Sequence, residues 1–233
     1  MQSAEVDRII DRYKRRTHVK YDVISPSVYM IRQEKQRALL RWIRKCNIEP
    51  LCSKRVLEIG CGSGDNLLEF LQLGFRAGNL SGNELLQDRF AAAKERLPSG
   101  VGLFPGDALQ LQLPKGSFDI VLQSTVFSSI LDHDFQYRLA QEMWRWSAPG
   151  GGILWYDFIY NNPRNPDVAG IPLRRIRALF PKGRVRYWRV TLAPPLSRLV
   201  TQIHPALYSL FNGFPVLRTH VLCWIEKTID DLT

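Results

Sequence analysis

The chain has 233 residues, of which 45% are hydrophobic, 23% charged and 11% aromatic. That profile fits one elaborated globular domain and excludes a disordered, collagen-like or low-complexity chain. The charge is less ordinary: 32 Lys and Arg against 22 Asp and Glu give +10, distributed as +8 over residues 1–55, −5 over 56–160 and +7 over 161–233. An acidic middle between two basic arms points to an anionic partner, either nucleic acid or a membrane surface, unless the arms are simply solvated helix faces.

Residues 1 to about 50 carry a helical pattern. Ile9, Ile10 and Tyr13 sit at helical spacing, as do Leu39, Leu40 and Ile43 after a break at Ser25-Pro26. The first residues are charged and lack the apolar core of a signal peptide. From Arg55 short apolar runs alternate with amphipathic helices. Strands are expected at 55–60, 79–84, 101–104, 118–123 and 153–158, with helices at 65–73, 85–97 and 135–146; Pro149-Gly150-Gly151-Gly152 stops the last of these helices. This β-α-β-α order implies an α/β fold, a mostly parallel sheet with helices on both faces. From Asn161 the pattern gives a helix at 173–180, a strand-like run at 184–192, a Pro-broken apolar segment at 192–217 and a last strand at 220–226. That apolar segment holds Arg198 and several prolines, so it is expected to lie at an interface rather than cross a bilayer. Three parts follow: an N-terminal helical arm or lid (1–54), a core (55–160) and a C-terminal completion with a substrate-facing insertion (161–233).

Cys46, Cys52, Cys61 and Cys223 form no C-x-x-C pair and have no nearby partners for a zinc set. Scattered thiols suit a reducing compartment, so a cytoplasmic setting without a bound metal is expected.

The chemistry centres on VLEIGCGSG, Val56 to Gly64. A buried strand ends in Gly60, Gly62 and Gly64, and a helix follows. Glycine there permits positive φ and lets backbone approach a ligand at the sheet's carboxyl edge. A dinucleotide fingerprint would place glycine where Asp65 stands. The pattern E-x-G-x-G-x-G, with Glu58 on the strand, instead suits a cationic ligand with an amino-acid moiety; a purely structural turn is the other reading. Glu84 ends the second strand, where a carboxylate accepts ribose hydroxyls. Asp107 follows the third strand, placed to accept from an exocyclic amine. Alone, each is equally a turn or cap acid.

The ordered runs VLEIGCGSG, GNELL (82–86), GDALQLQLPKGSFDIVLQ (106–123) and WRWSAPGGGILWYDF (144–158) resemble the successive motifs of class I S-adenosylmethionine-dependent methyltransferases. The resemblance covers about 55–160 and implies a Rossmann-like sheet of seven strands, the runs at 184–192 and 220–226 completing it. It implies S-adenosyl-L-methionine as cofactor, with Glu58, Gly60, Cys61, Gly62 and Gly64 around the methionine moiety, Glu84 on the ribose, Asp107 and Ala108 on adenine, and Gln123 near the sulfonium. Asn83 departs from the apolar residue usual before the ribose acid. Gln123-Ser124-Thr125-Val126 stands where amino-directed nucleic-acid enzymes carry D/N-P-P-Y, which counts against base N-methylation.

An activated methyl needs a nucleophile held in line, and no metal or covalent residue. A hydroxyl nucleophile benefits from a base, for which His133 and Asp157 are the candidates, with His18 on the arm as a third. Either His133 or Asp157 is also readable as a helix-start or cap residue. Tyr13, Tyr21 and Tyr29 recur through the arm and suit either a lid or packing on the sheet. Arg174, Arg175, Arg177, Lys182, Arg184, Arg186 and Arg189 precede the apolar segment. Together these features imply methyl transfer to a small-molecule or lipid-linked acceptor, most simply a hydroxyl of a sugar, lipid-linked glycan or natural product, with a peripheral membrane contact. RNA methylation, with the basic arms on phosphate, is the alternative.

Overall fold

The computed structural model describes residues 4–15, 24–163 and 165–228. The elements run α1 (Ala4–Arg15), α2 (Pro26–Cys46), β1 (Val56–Ile59), α3 (Asp65–Gln72), β2 (Leu80–Glu84), α4 (Gln87–Arg96), β3 (Gly102–Pro105), β4 (Phe118–Ser124), α5 (His133–Trp146), β5 (Ser147–Phe158), α6 (Leu173–Leu179), β6 (Arg184–Leu192), α7 (Pro194–Ile203), α8 (Ala206–Asn212) and β7 (Arg218–Glu226).

The seven strands form one sheet in the order β3-β2-β1-β4-β5-β7-β6. The first five strands are parallel; β7 is antiparallel to both β5 and β6. The order reverses between β1 and β4, and a sheet of this kind opens its ligand crevice at the carboxyl ends of the strands at that reversal.

The strands are nearly continuous in apolar residues because both faces are covered. Alternation sorts their side chains. Leu57, Ile59, Val121, Ile153 and Trp155 pack on one side with Val6 and Ile9 of α1, Leu139, Met143 and Trp146 of α5, and Ile176 of α6. Val56, Ile120, Leu122, Leu154 and Tyr156 pack on the other side with Leu39 and Trp42 of α2, Leu67 and Phe70 of α3, and Ala93 of α4. The same period of two aims Glu58 at the α2–α3 side and Asp157 at the α5 side.

Two local outcomes differ from the sequence pattern. The Pro-Gly-Gly-Gly run is strand rather than loop, since β5 begins at Ser147. A Cβ on Gly151 would meet the Asp119 carbonyl, and one on Gly152 the Ile225 carbonyl, so these glycines let three strands close up. The apolar run 192–217 folds as α7 and α8, whose inner side (Val200, Tyr208) packs with Leu192 against Met30 and Ile31 of α2.

Candidate functional site

The glycine loop leaves β1 with Gly60, Gly62 and Gly64 all at positive φ, 65°, 58° and 84°. This coil returns the chain to start α3 at Asp65, with Gly64 as its N-cap in the left-handed region. A Cβ would strike Val126 at Gly60 and Leu97 at Gly64, while at Gly62 it would meet nothing within 4 Å. The loop is therefore shaped by packing at its ends and open at its centre.

Glu84 closes over this loop. Its carboxylate accepts from Gly62 N–H at 2.7 Å and from Leu86 N–H at 2.8 Å. Each oxygen retains lone-pair capacity for a further donor. Asn83, the departure from the family pattern, is buried and donates through Nδ2 to the Phe104 and Gly106 carbonyls at 3.1 and 2.9 Å. It thereby fixes the turn that carries Asp107, whose carboxylate accepts from Leu109 N–H at 3.0 Å. Gly60, Glu84, Asp107 and Ala108 line one cleft together with Leu85, Leu86 and Arg89 from the β2–α4 junction and Ser124, Thr125 and Val126 from the end of β4.

The third wall is α1. Val6, Ile9 and Tyr13 line the cleft from its solvent side. Buried Glu5 accepts from Arg12 Nη2 at 2.7 Å and from Leu131 N–H at 3.0 Å. Arg12 also donates to the Ser129 carbonyl at 3.0 Å, and the Tyr13 hydroxyl lies 3.2 Å from Ser129 Oγ. The Arg89 guanidinium stacks over the Tyr13 ring at 4.7 Å, joining α1 to α4 across the cleft. The helical periodicity of the arm announced the helix; the buried Glu5–Arg12 pair that docks it carried no sequence signal, because charged residues read as solvent-facing.

The remaining expected residues lie behind the cleft. Glu58 is fully buried, and burial pushes its carboxyl up to about 7. Asn66 Nδ2 donates to Glu58 Oε1, while Glu58 Oε2 has no partner. Lys35 of α2 donates to Asn66 Oδ1 at 2.6 Å and to Ser124 Oγ at 3.1 Å, and lies 4.7 Å above the Tyr156 ring. Burial lowers the Lys35 pKa against the raising effect of Glu69 and Glu58. Sequence spacing missed Lys35: it lies far from the glycine loop in the chain and looks like one cation among many on α2. His220 stacks on the other part of this group, 5.2 Å from Tyr156, and burial pushes its imidazole down to about 4.

Cys61 is buried, and its thiol packs where a Cβ on Gly82 would reach; its backbone serves the loop, the N–H donating to the Asn83 carbonyl and the carbonyl accepting from Gly64 N–H, both at 2.9 Å. Gln123 is fully buried and braces the β4 end, accepting from Val126 N–H at 3.0 Å. Asp157 is fully buried too. It accepts from Ser128 N–H at 3.1 Å and Phe158 N–H at 2.9 Å, and burial pushes it up to about 7. Its place is beneath the loop after β4, which it anchors, and it is not part of the cleft wall. His133 is exposed at the first position of α5, where Asp132 caps the helix by accepting from Asp134 and Phe135 N–H; it does not line the cleft. His18 and Tyr21 lie outside the described residues.

The basic cluster after residue 173 does not line the cleft either. Arg175 donates to Gln136 and to the His133 carbonyl, and Arg186 to the Lys45 carbonyl and to Glu226. These cations tie elements together. Thr125, by contrast, lines the cleft with φ 58°, a left-handed conformation costly for a β-branched residue, held by its N–H to the Tyr156 carbonyl at 2.8 Å.

Residues 56–151 match the methyltransferase domain family model. Among curated proteins, the chain is 37% identical over 105 residues to a fatty-acid O-methyltransferase of Mycolicibacterium smegmatis, covering 45% of this chain and 37% of that one. It is 34% identical over 131 residues to a phthiotriol/phenolphthiotriol dimycocerosates methyltransferase of Mycobacterium ulcerans, covering 54% and 46%. It is 26% identical over 156 residues to ajmaline N-methyltransferase of Rauvolfia serpentina, covering 65% and 51%. The chain thus spans about half or less of the length of these relatives. Among solved structures, a SAM-dependent methyltransferase from Thermotoga maritima superposes with a TM-score of 0.59 at 18% identity, covering 96% of this chain and 99% of that one. SpnF, a 4+2 cyclase, superposes with 0.60 at 15%, covering 84% and 82%. The residues fit the cofactor that goes with this family, in that an unpartnered buried carboxylate oxygen on Glu58, an open backbone turn at Gly62 and a two-oxygen acceptor at Glu84 stand together. With its motifs in order, its sheet in the expected topology and residues 56–151 matched by the methyltransferase domain model, the chain carries a methyltransferase domain on the class I S-adenosylmethionine-dependent methyltransferase fold.

Proposed function

We propose that the protein transfers a methyl group from S-adenosylmethionine to a small acceptor with an apolar body, most simply at a hydroxyl. The observation that carries this reading is the Glu84–Gly62–Leu86 clasp beside the Glu58–Asn66–Lys35 chain. When bound, the cofactor supplies an activated sulfonium methyl. The chain's own groups would do the rest. Glu84 would receive the ribose hydroxyls, and Asp107 with Ala108 the adenine edge. Glu58 would face the cationic amino-acid end, and Lys35 its carboxylate. Gly60 and Gly64 would hold the loop at the required distance. Gln123 and Asp157 would act as positioning residues for the loop after β4, and α1 would exclude water over the cleft.

Asp157 has no route to an acceptor proton while it is held beneath the loop, and His133 is exposed outside the cleft lining. Positioning rather than general-base catalysis therefore carries the rate in this reading. The apolar-acceptor class draws on the fatty-acid and dimycocerosate relatives and on a cleft wall of Ile130, Phe135 and Leu139. The SpnF likeness shows why the fold alone does not decide the reaction. The test is incubation with methyl-labelled cofactor and, in parallel, a hydroxyl-bearing lipid extract and total RNA. Label in the organic phase supports the reading. Label confined to RNA overturns it in favour of the alternative.

A further inference from the structure

The outer side of the α7–α8 hairpin is unlike the rest of the surface. Leu199, Ile203, Leu210, Phe214 and Val216 are between 55% and 80% exposed, all within residues 199–216. Leu199 and Ile203 are four apart and share one side of α7; the opposite side, with Ser197, Val200 and Thr201, is buried toward α2. Single exposed leucines are ordinary, but a cluster of large apolar side chains on consecutive elements marks a contact surface. The segment 192–217 holds no carboxylate, and Arg198 is exposed within it.

The neighbouring surface is cationic. Packed against α7, α2 has one carboxylate, Glu34, which is buried and accepts from Thr191 N–H at 2.7 Å. Its exposed charges are therefore all positive: Arg37, Arg41, Arg44 and Lys45. The first three recur at spacings of four and three, on one side of the helix. Arg37 stands near enough to the Tyr208 phenol of α8 to act on it electrostatically. Protruding aliphatic side chains beside a carboxylate-free, cationic face complement a surface that is apolar below and anionic at its plane. An RNA phosphate track would use the cations but leave Ile203 and Val216 in water.

We infer that the α7–α8 hairpin and the exposed face of α2 form a docking surface for an anionic lipid bilayer, with Leu199, Ile203, Leu210, Phe214 and Val216 inserted and Arg37, Arg41 and Arg44 over the headgroups. This inference does not depend on the reaction.

The experiment is cosedimentation of the full chain with phosphatidylcholine vesicles, alone or mixed with phosphatidylglycerol. Binding is expected to the mixed vesicles, to weaken with added salt, and to fall about ten-fold or more in Ile203→Asp/Val216→Asp, both exposed positions whose replacement spares the core. Arg37→Glu/Arg41→Glu is expected to lower the binding and flatten its salt dependence. S-adenosylhomocysteine affinity, measured by calorimetry on the same variants, stays at the wild-type value, so a failed cofactor reading and a failed docking reading remain separable. The inference is overturned by no binding to mixed vesicles, by binding that neither variant changes, by binding to total RNA instead, or by a solution dimer that Ile203→Asp/Val216→Asp dissolves.

Discussion

Glu58 sits on the sheet where alternation demands an inward side chain, and its burial has a pH signature. Its carboxyl is raised from 4.5 to about 7 in the folded chain. Between those values the folded state keeps a proton the unfolded state has released, so stability falls as pH rises through that window and levels off above it. Glu58→Gln lacks this contribution. Its urea stability relative to wild type should therefore increase from pH 5 to pH 8; a difference that does not change with pH contradicts the buried, proton-holding Glu58. Asp157 is raised in the same direction and contributes a parallel slope that cancels in that difference. Gly64→Ala forces a Cβ against Leu97 at a φ of 84°. Unfolding should show a loss of roughly 1–3 kcal/mol. Glu84, Asp107 and the three glycines were legible because chain order and spacing alone place them at successive strand ends. Lys35 was not, because its meaning depends on which face of α2 meets α3.

Among the elements, β1 to β5 and the helices between them could be read from apolar runs broken by Gly and Pro. The exceptions have physical causes. The start of β5 is rich in glycine because the Asp119 and Ile225 carbonyls approach it closely, and glycine in sequence reads as loop. Helix α1 is docked by a buried ion pair, where charge in sequence reads as surface. Arg12→Met leaves buried Glu5 with the exposed Arg8, 3.0 Å away, as its cation and removes the inner partner, which should cost about 1–3 kcal/mol of docking. Amide exchange of residues 4–15 and of the Leu131 N–H should then accelerate by at least ten-fold, and unchanged protection contradicts the role of the pair. Replacing both partners by apolar residues should recover much of the loss. Because Val6, Ile9 and Tyr13 wall the cleft, the same variant should also weaken cofactor binding.

At the scale of the whole molecule, the +10 charge divides by role. The acidic middle supplies Glu84 and Asp107 to the cleft wall and Glu58 behind it, as would suit the cationic ligand proposed. The C-terminal cations expected to frame an acceptor are partly spent on internal bonds, Arg175, Arg186 and Arg218 among them. Those of α2 face outward beside the apolar hairpin. Composition alone left nucleic acid and membrane equal; in the docking surface proposed above, the cations of α2 beside exposed Ile203 and Val216 favour the membrane. No helix among the described residues is long and apolar enough to cross a membrane.

In the function proposed above, the glycine loop and Glu84 form the cofactor cleft. Calorimetric titration of the protein with S-adenosylhomocysteine tests it most directly. One site per chain with micromolar or tighter affinity is expected. Glu84→Ala should weaken it by about ten- to hundred-fold, the value of one to two charge-assisted hydrogen bonds. No binding by the wild type at high micromolar concentration, or the same affinity in Glu84→Ala, would contradict it.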